Sequence, residues 1–219
     1  MIAGNLLSQE IIPLKTSDTG EEALSIMNDY YVKHLPIVNN EQLLGLLAED
    51  DILDHDPAEA VGSYRLSMSR PYVFENNHIY EVLRTLSEYQ LTVIPVIDKD
   101  ENYLGLIAQG DLIRFFANIG SFTEPGGIIV LEMSKQDYAM TEMARIVESE
   151  NAAILSSFIT SSLDSTKIDV TLKINRKDLQ RILATFERFD YKIKASFQEE
   201  DYFDSLKERY DSLMTYLNI

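Results

Sequence analysis

No cysteine occurs among the 219 residues. Disulfides, thiolate metal sites and a cysteine nucleophile are therefore excluded. Basic residues are scarce as well, with 19 Lys and Arg against 36 Asp and Glu, a formal charge of −17. Duplex nucleic acid and anionic bilayers are held by clustered Lys and Arg that displace counterions, so neither is expected as a partner. Apolar runs such as "GGIIVLEM" fall far short of the roughly 20 residues a membrane span needs. The opening "MIAGNLLSQEII" has no basic region followed by an apolar segment of signal-peptide length. The expectation is a soluble cytoplasmic protein. Missing too are a G-x-S-x-G elbow, a P-loop, an H-E-x-x-H motif and a zinc-spaced His set, so no enzyme and no catalytic residue is expected. His34 and His78 have no Ser, Cys or second His nearby in sequence and read as structural or surface residues.

What is present is a repeat. "HLPIVNNEQLLGLLAEDDIL", from His34 to Leu53, returns as "VIPVIDKDENYLGLIAQGDLI", from Val93 to Ile113. Pro36 pairs with Pro95 at a spacing of 59, and Gly45 with Gly105 and Asp51 with Asp111 at 60, one residue having been added in the turn. Upstream, Glu22, Leu24 and Tyr30 fall on Glu81, Leu83 and Tyr89 at the 59 offset. A period near 60 exceeds the usual solenoid unit, so two copies of one supersecondary module packed together are expected.

Each copy reads as helix, strand, strand, helix after a short extended piece ("IIPLK"; "PYVF"). In the first, Thr19 with Glu22 three residues later forms a capping-box pattern, and Ala23, Leu24, Met27 and Tyr31 give a helical apolar face. "HLPIVN" and "LLGLLAE" around the turn "NEQ" read as a hairpin. In the second copy a helix from about Ile79 to Tyr89 precedes strands "VIPVID" and "YLGLIA" and a helix from Asp111 to about Asn118.

This pattern, a hydrophobic pair, Pro, an apolar strand, a turn, Gly, two apolars, then Asp and an apolar pair, resembles the cystathionine β-synthase type domain, or CBS domain. The two copies resemble a CBS pair over residues 1 to 120, with repeats at about 1–62 and 63–120. The resemblance implies a regulatory module whose clefts take adenosine-containing ligands such as AMP, ADP, ATP or S-adenosylmethionine. It places Leu35, Pro36, Ala48 and Asp51 at one cleft and Ile94, Pro95, Ala108, Asp111 and Arg114 at the other. An ionised Asp there accepts hydrogen bonds from both ribose hydroxyls. The family's Ser or Thr is replaced by Ala48 and Ala108, a loss of roughly 1 kcal/mol per hydrogen bond.

The copies differ in charge. Glu49, Asp50 and Asp54 of the first correspond to Gln109, Gly110 and Arg114 of the second. A phosphate is expected to be repelled by the first set and tolerated or held by the second, with Arg114 on the helical face of Asp111; the alternative is that Arg114 is a solvated helix residue. The acidic run "EDDILDHDPAE", Glu49 to Glu59, admits either a hard cation or a solvated first turn whose acids complement the helix dipole; no metal site is expected.

Residues 1 to 120 carry a net charge of −12 and residues 121 to 219 one of −5. The shift coincides with "GSFTEPGG", a linker at 121–127. Beyond it, 128–219 reads in the order β-α-β-β-α-β: "GIIVLEM", an amphipathic helix with Met140, Met143, Ala144 and Val147 on one face, "AAILSSFITSS", "KIDVTLKI", "RKDLQRILATFERFD" and "YKIKASFQ". That is the ferredoxin-like motif. It resembles an ACT-type regulatory domain, and a CBS pair followed by such a domain resembles the acetoin-utilisation accessory proteins. The loop "MSKQDYAM" lacks the Gly that amino-acid-binding members use, which favours a dimerising or partner-binding role. The tail places Tyr202, Phe203, Leu206, Tyr210, Leu213, Met214 and Leu217 on one helical stripe. The expected fold class is α+β, a tandem CBS pair plus an ACT-like domain with a terminal helix. The expected function is that of a non-catalytic homodimeric sensor of a small-molecule effector, acting on a partner protein the sequence does not name. A structural adaptor with empty clefts is the alternative.

Overall fold

The structure is a computed structural model that describes residues 1–219 except 9, 68, 69, 119, 162–165, 199–215 and 217–219. The chain divides into two compact units, Met1–Ala117 and Asn118–Ile219.

In the first unit, helix α1 (Gly20–Tyr30) leads into strands β1 (His34–Asn39) and β2 (Gln42–Ala48) and helix α2 (Glu49–Leu53). Strand β3 (Val73–Phe74), helix α3 (Ile79–Glu88), strands β4 (Val93–Ile97) and β5 (Tyr103–Ala108) and helix α4 (Gln109–Ala117) repeat the order. The α1 capping box forms as the sequence predicts. The Glu22 amide donates to Thr19 Oγ1 at 3.2 Å, and the Thr19 amide donates to the Glu22 carboxylate at 2.8 Å. Both helices end on a residue with left-handed backbone nearby, Tyr31 (φ 55°) and Gln90 (φ 52°), which turns the chain into the hairpin. Both hairpins carry a register shift at matched places, between Ile37 and Val38 and between Val96 and Ile97. Apolar side chains from both repeats, among them Leu35, Leu46, Ile52, Ile94, Ile107 and Leu112, merge into one core.

The repeats exchange segments. The N-terminal residues lie on the second repeat: the amides of Ala3 and Gly4 donate to the carbonyls of Asn77 and Glu75, and Ser8 N–H to Leu106 O. The residues between the repeats lie on the first: the Val61 and Gly62 amides donate to Asp18 and Thr16 carbonyls. At the centre the hairpins touch through Gln42 and Asn102, which are paired with each other. Gly62 is needed for this approach, because a Cβ there would lie 2.7 Å from the Thr16 carbonyl oxygen.

After the short helix α5 (Gly120–Thr123), the second unit runs β6 (Gly127–Ser134), α6 (Met140–Ser149), β7 (Ile154–Thr160), β8 (Lys167–Ile174), α7 (Gln180–Arg188) and β9 (Lys192–Phe197). The sheet order is β7-β8-β6-β9, antiparallel throughout, the ferredoxin-like arrangement. Strict alternation along β6 and β8 turns Ile129, Leu131, Val170 and Leu172 onto the helices. Met143, Ile146 and Val147 of α6 and Ile182 and Phe186 of α7 cover them. Of the apolar face expected on α6, Met140 and Ala144 are only partly buried, and Ile146 takes their place at the centre. On the other face Glu132 bridges Lys167 at 2.8 Å and Lys192 at 2.7 Å, which pulls its carboxyl down to about 2. The expected terminal helix lies outside the described residues, apart from Tyr216.

Candidate functional site: a cleft beside Asp111

A cleft of about 350 Å³ opens where the N-terminal strap crosses the second repeat. Its polar wall is the start of α4, with Gln109, Gly110, Asp111 and Arg114, together with Thr92 at the head of β4. Its apolar wall is Ile11, Tyr30, Tyr31, Val32 and Ile113; Ser8 and Glu10 close one side. Asp111 sits here because the helix begins at Gln109, so its carboxylate reaches back to the Ala108 amide at 3.4 Å. The other oxygen pairs with the Arg114 guanidinium one turn on. The Asp111 side chain is 21% exposed and that of Arg114 70%, so the pair stands at the mouth and not in the core. Tyr31 holds its left-handed conformation fully exposed. Bulky residues rarely tolerate that conformation.

Of the residues the sequence singled out, the fold brings Ala108, Asp111 and Arg114 together. It does not bring Ile94 and Pro95 to this cleft. Both lie in β4, which is buried along its whole length; Ile94 packs in the core as Leu35 of β1 does, and Pro95 and Pro36 are buried within their strands. The first-repeat counterpart differs by more than charge. Asp51 is 3% exposed, and its oxygens accept the Ala48 amide at 3.0 Å and the Ser67 amide at 2.9 Å. The extra acids lie outside it: Glu49 pairs with Lys33 at 3.3 Å, and Asp50 and Asp54 face solvent. Among the described residues no group of three His, Asp or Glu side chains converges as a metal site would require. His55 Nδ1 is bonded to the Asp51 carbonyl at 2.7 Å.

Sequence reading missed Ser8, Glu10, Ile11, Tyr30, Tyr31 and Thr92. Thr92 immediately precedes β4, ahead of the motif, and the others come from the first repeat; the segment exchange gathers them. The repeated Tyr30 and Tyr89 were the one visible signal. Thr92 also joins the repeats. Its hydroxyl accepts the Lys33 amide at 2.8 Å and lies 3.0 Å from His34 Nδ1, which also accepts the Thr92 amide at 3.2 Å. His34 is buried, and desolvation lowers its pKa against the opposing pull of Asp51 and Asp50.

The family model for the CBS domain matches residues 3–57 and 61–118, half of the chain, and the chain belongs to that family. It is a tandem CBS pair, a regulatory class of module, followed by a ferredoxin-like unit. A homoserine O-acetyltransferase of Methanohalobium evestigatum is 25% identical over 116 residues, 50% of this chain and 23% of that protein. The match thus spans about a quarter of that relative. A CBS domain pair/ACT domain protein from Thermotoga maritima aligns with a TM-score of 0.48 at 22% identity, over 53% of this chain and 96% of that one. CBSX2 in complex with AMP aligns with a TM-score of 0.46 at 22% identity, over 54% and 97%. No helix among the described residues is long and apolar enough to cross a membrane.

Proposed function

We propose that this protein is a non-catalytic regulator that senses an adenosine nucleotide or a related small molecule in the cleft beside Asp111. The observation that carries the reading is the joint placement of a partly exposed carboxylate, a threonine hydroxyl and an aromatic and aliphatic wall around one volume of nucleoside size. The carboxylate suits a ribose diol because it offers only acceptors. Tyr30, Val32 and Ile11 offer a purine ring a flat apolar surface. Arg114 supplies the switch. Its guanidinium pairs with the Asp111 carboxylate. When the diol takes the carboxylate, the guanidinium turns to the 5′-phosphate, an exchange of partners that distinguishes AMP, ADP and ATP from adenosine.

Residues 1–120 then form the sensing part, 121–127 the linker and 128–219 the part that holds two copies together, in a cytoplasmic homodimer that passes occupancy to a partner protein. A thermal-shift panel of adenosine, AMP, ADP, ATP and S-adenosylmethionine tests this, since a ligand at 100 times its Kd stabilises the native state by about 2.7 kcal/mol. A second reading, a structural adaptor, is favoured by Ala48 and Ala108 and by the ion pair at the cleft mouth. It requires no shift with any member of the panel.

A further inference from the structure

In the first repeat the chain itself bonds the buried counterpart aspartate, Asp51. At an offset of 59, Leu66 and Ser67 correspond to Leu7 and Ser8. Each leucine crosses the hairpin glycine of the opposite repeat: a Cβ on Gly45 would meet Leu66 Cδ1 at 2.4 Å, and one on Gly105 would meet Leu7 Cδ2 at 3.3 Å. The serines then part ways. The Ser8 amide bonds the Leu106 carbonyl at 2.8 Å and leaves Asp111 facing its cleft, whereas the Ser67 amide bonds Asp51 Oδ1 at 2.9 Å. Two further contacts anchor the segment before it. The Arg65 amide donates to His55 Nε2 at 3.2 Å, which makes Nδ1 the protonated nitrogen that donates to the Asp51 carbonyl. The Tyr64 ring stacks on His55 at 4.4 Å, and its hydroxyl donates to the Asp56 carbonyl at 2.8 Å.

We propose that Tyr64–Ser67 is an autoinhibitory strap that closes the first-repeat site on Asp51. Asp51 is 3% exposed beneath this segment, so a ligand carrying a vicinal diol reaches its Oδ1 only when the Ser67 amide moves off it. The chain therefore holds one open site and one latched site of the same ancestry. The latched site fills only when the strap lifts, which gives the module two response thresholds instead of one. An amide bond to a carboxylate is of the stronger class, so the latched site is weaker by roughly 10- to 100-fold. The proposal rests on the reading that Asp111 marks a nucleoside site.

The test uses the full chain, AMP as the probe in calorimetric titration, and amide exchange of Ser67 by NMR. Wild type takes up one equivalent of AMP, with a second only at far higher concentration. Ser67→Pro, which deletes the amide proton, strengthens the second equivalent at least tenfold. His55→Phe, which keeps the ring stack and removes both hydrogen bonds, does the same and serves if the proline variant fails to fold. The Ser67 amide exchanges slowly in wild type and fast in Asp51→Ala. Two equal equivalents in wild type, or a Ser67 amide that exchanges at the free-peptide rate, would overturn the strap. So would folded Ser67→Pro and His55→Phe variants that leave the second equivalent unchanged. If AMP does not bind at all, the nucleotide reading fails, and the exchange experiment still decides whether the latch exists.

Discussion

Asp51 and Asp111 hold the same place in their repeats and have different work. Asp111→Ala is expected to weaken AMP binding by roughly 1.5 to 3 kcal/mol, the range for hydrogen bonds to a charged group, read by calorimetry, with little change in melting. Asp51→Ala is expected to do the reverse. The buried Ala48 amide and the part-buried Ser67 amide lose their acceptor, and stability falls by roughly 1 to 3 kcal/mol, chiefly through the buried one, while AMP affinity at the open cleft holds. Equal binding losses for the two variants would contradict the assignment. Tyr31 pays a conformational cost beside the cleft, so Tyr31→Gly is expected to raise stability by about 1 kcal/mol and to weaken AMP. His34 gives a pH signature. Its pKa is lowered in the folded protein, so the unfolded chain takes the proton first as the pH falls. Its contribution is complete above the ordinary imidazole value and is lost as the pH drops through the lowered one. Denaturant midpoints of wild type should therefore decline over that window more steeply than those of His34→Gln; parallel profiles would exclude the effect. The sequence showed both aspartates and the missing hydroxyls. It could not show that Ser67 donates to the Asp51 carboxylate while Ser8 donates to the Leu106 carbonyl, because that depends on which acceptor each strap meets.

At the scale of elements, the hairpins, the capped helix α1 and the β-α-β-β-α-β order were all legible, since each follows from local periodicity and from turn or cap residues. Strand bounds agree to within one or two residues, and α4 begins at Gln109, two residues ahead of Asp111. The straps were not legible. Residues 1–12 and 58–67 have little periodicity of their own, and what orders them is backbone hydrogen bonding to the opposite repeat. The cleft inherits that blindness, because half of its wall comes from a strap and from the end of α1.

For the whole molecule, the exchange argues against independent repeats. Each is about 60 residues, near the size at which a single core becomes marginal, and each completes its surface with a segment from outside. Residues 1–62 expressed alone are expected to lack a cooperative melt in calorimetry; a sharp monomeric transition would show a self-sufficient repeat. Among the described residues β7 and β9 are the edges of the second unit's sheet, and an edge pairs readily with its copy. Removing 121–219 is expected to weaken self-association in sedimentation equilibrium, and an unchanged association constant would assign the dimer to the CBS pair.

The N-terminal segment that bonds Asn77, Glu75 and Leu106 also sets an order of events during synthesis. At the ribosome's pace of roughly 5–20 residues per second, the first eight residues wait several seconds before the strand that receives them has been made. Through that interval Leu6 and Leu7 have no home in their own chain. On a polysome, where neighbouring nascent chains are close and some are further along, the second repeat of another copy presents the same acceptors. An exchanged dimer would contain the same hydrogen bonds as the unexchanged chain, so prompt completion of a chain's own second repeat favours the unexchanged form.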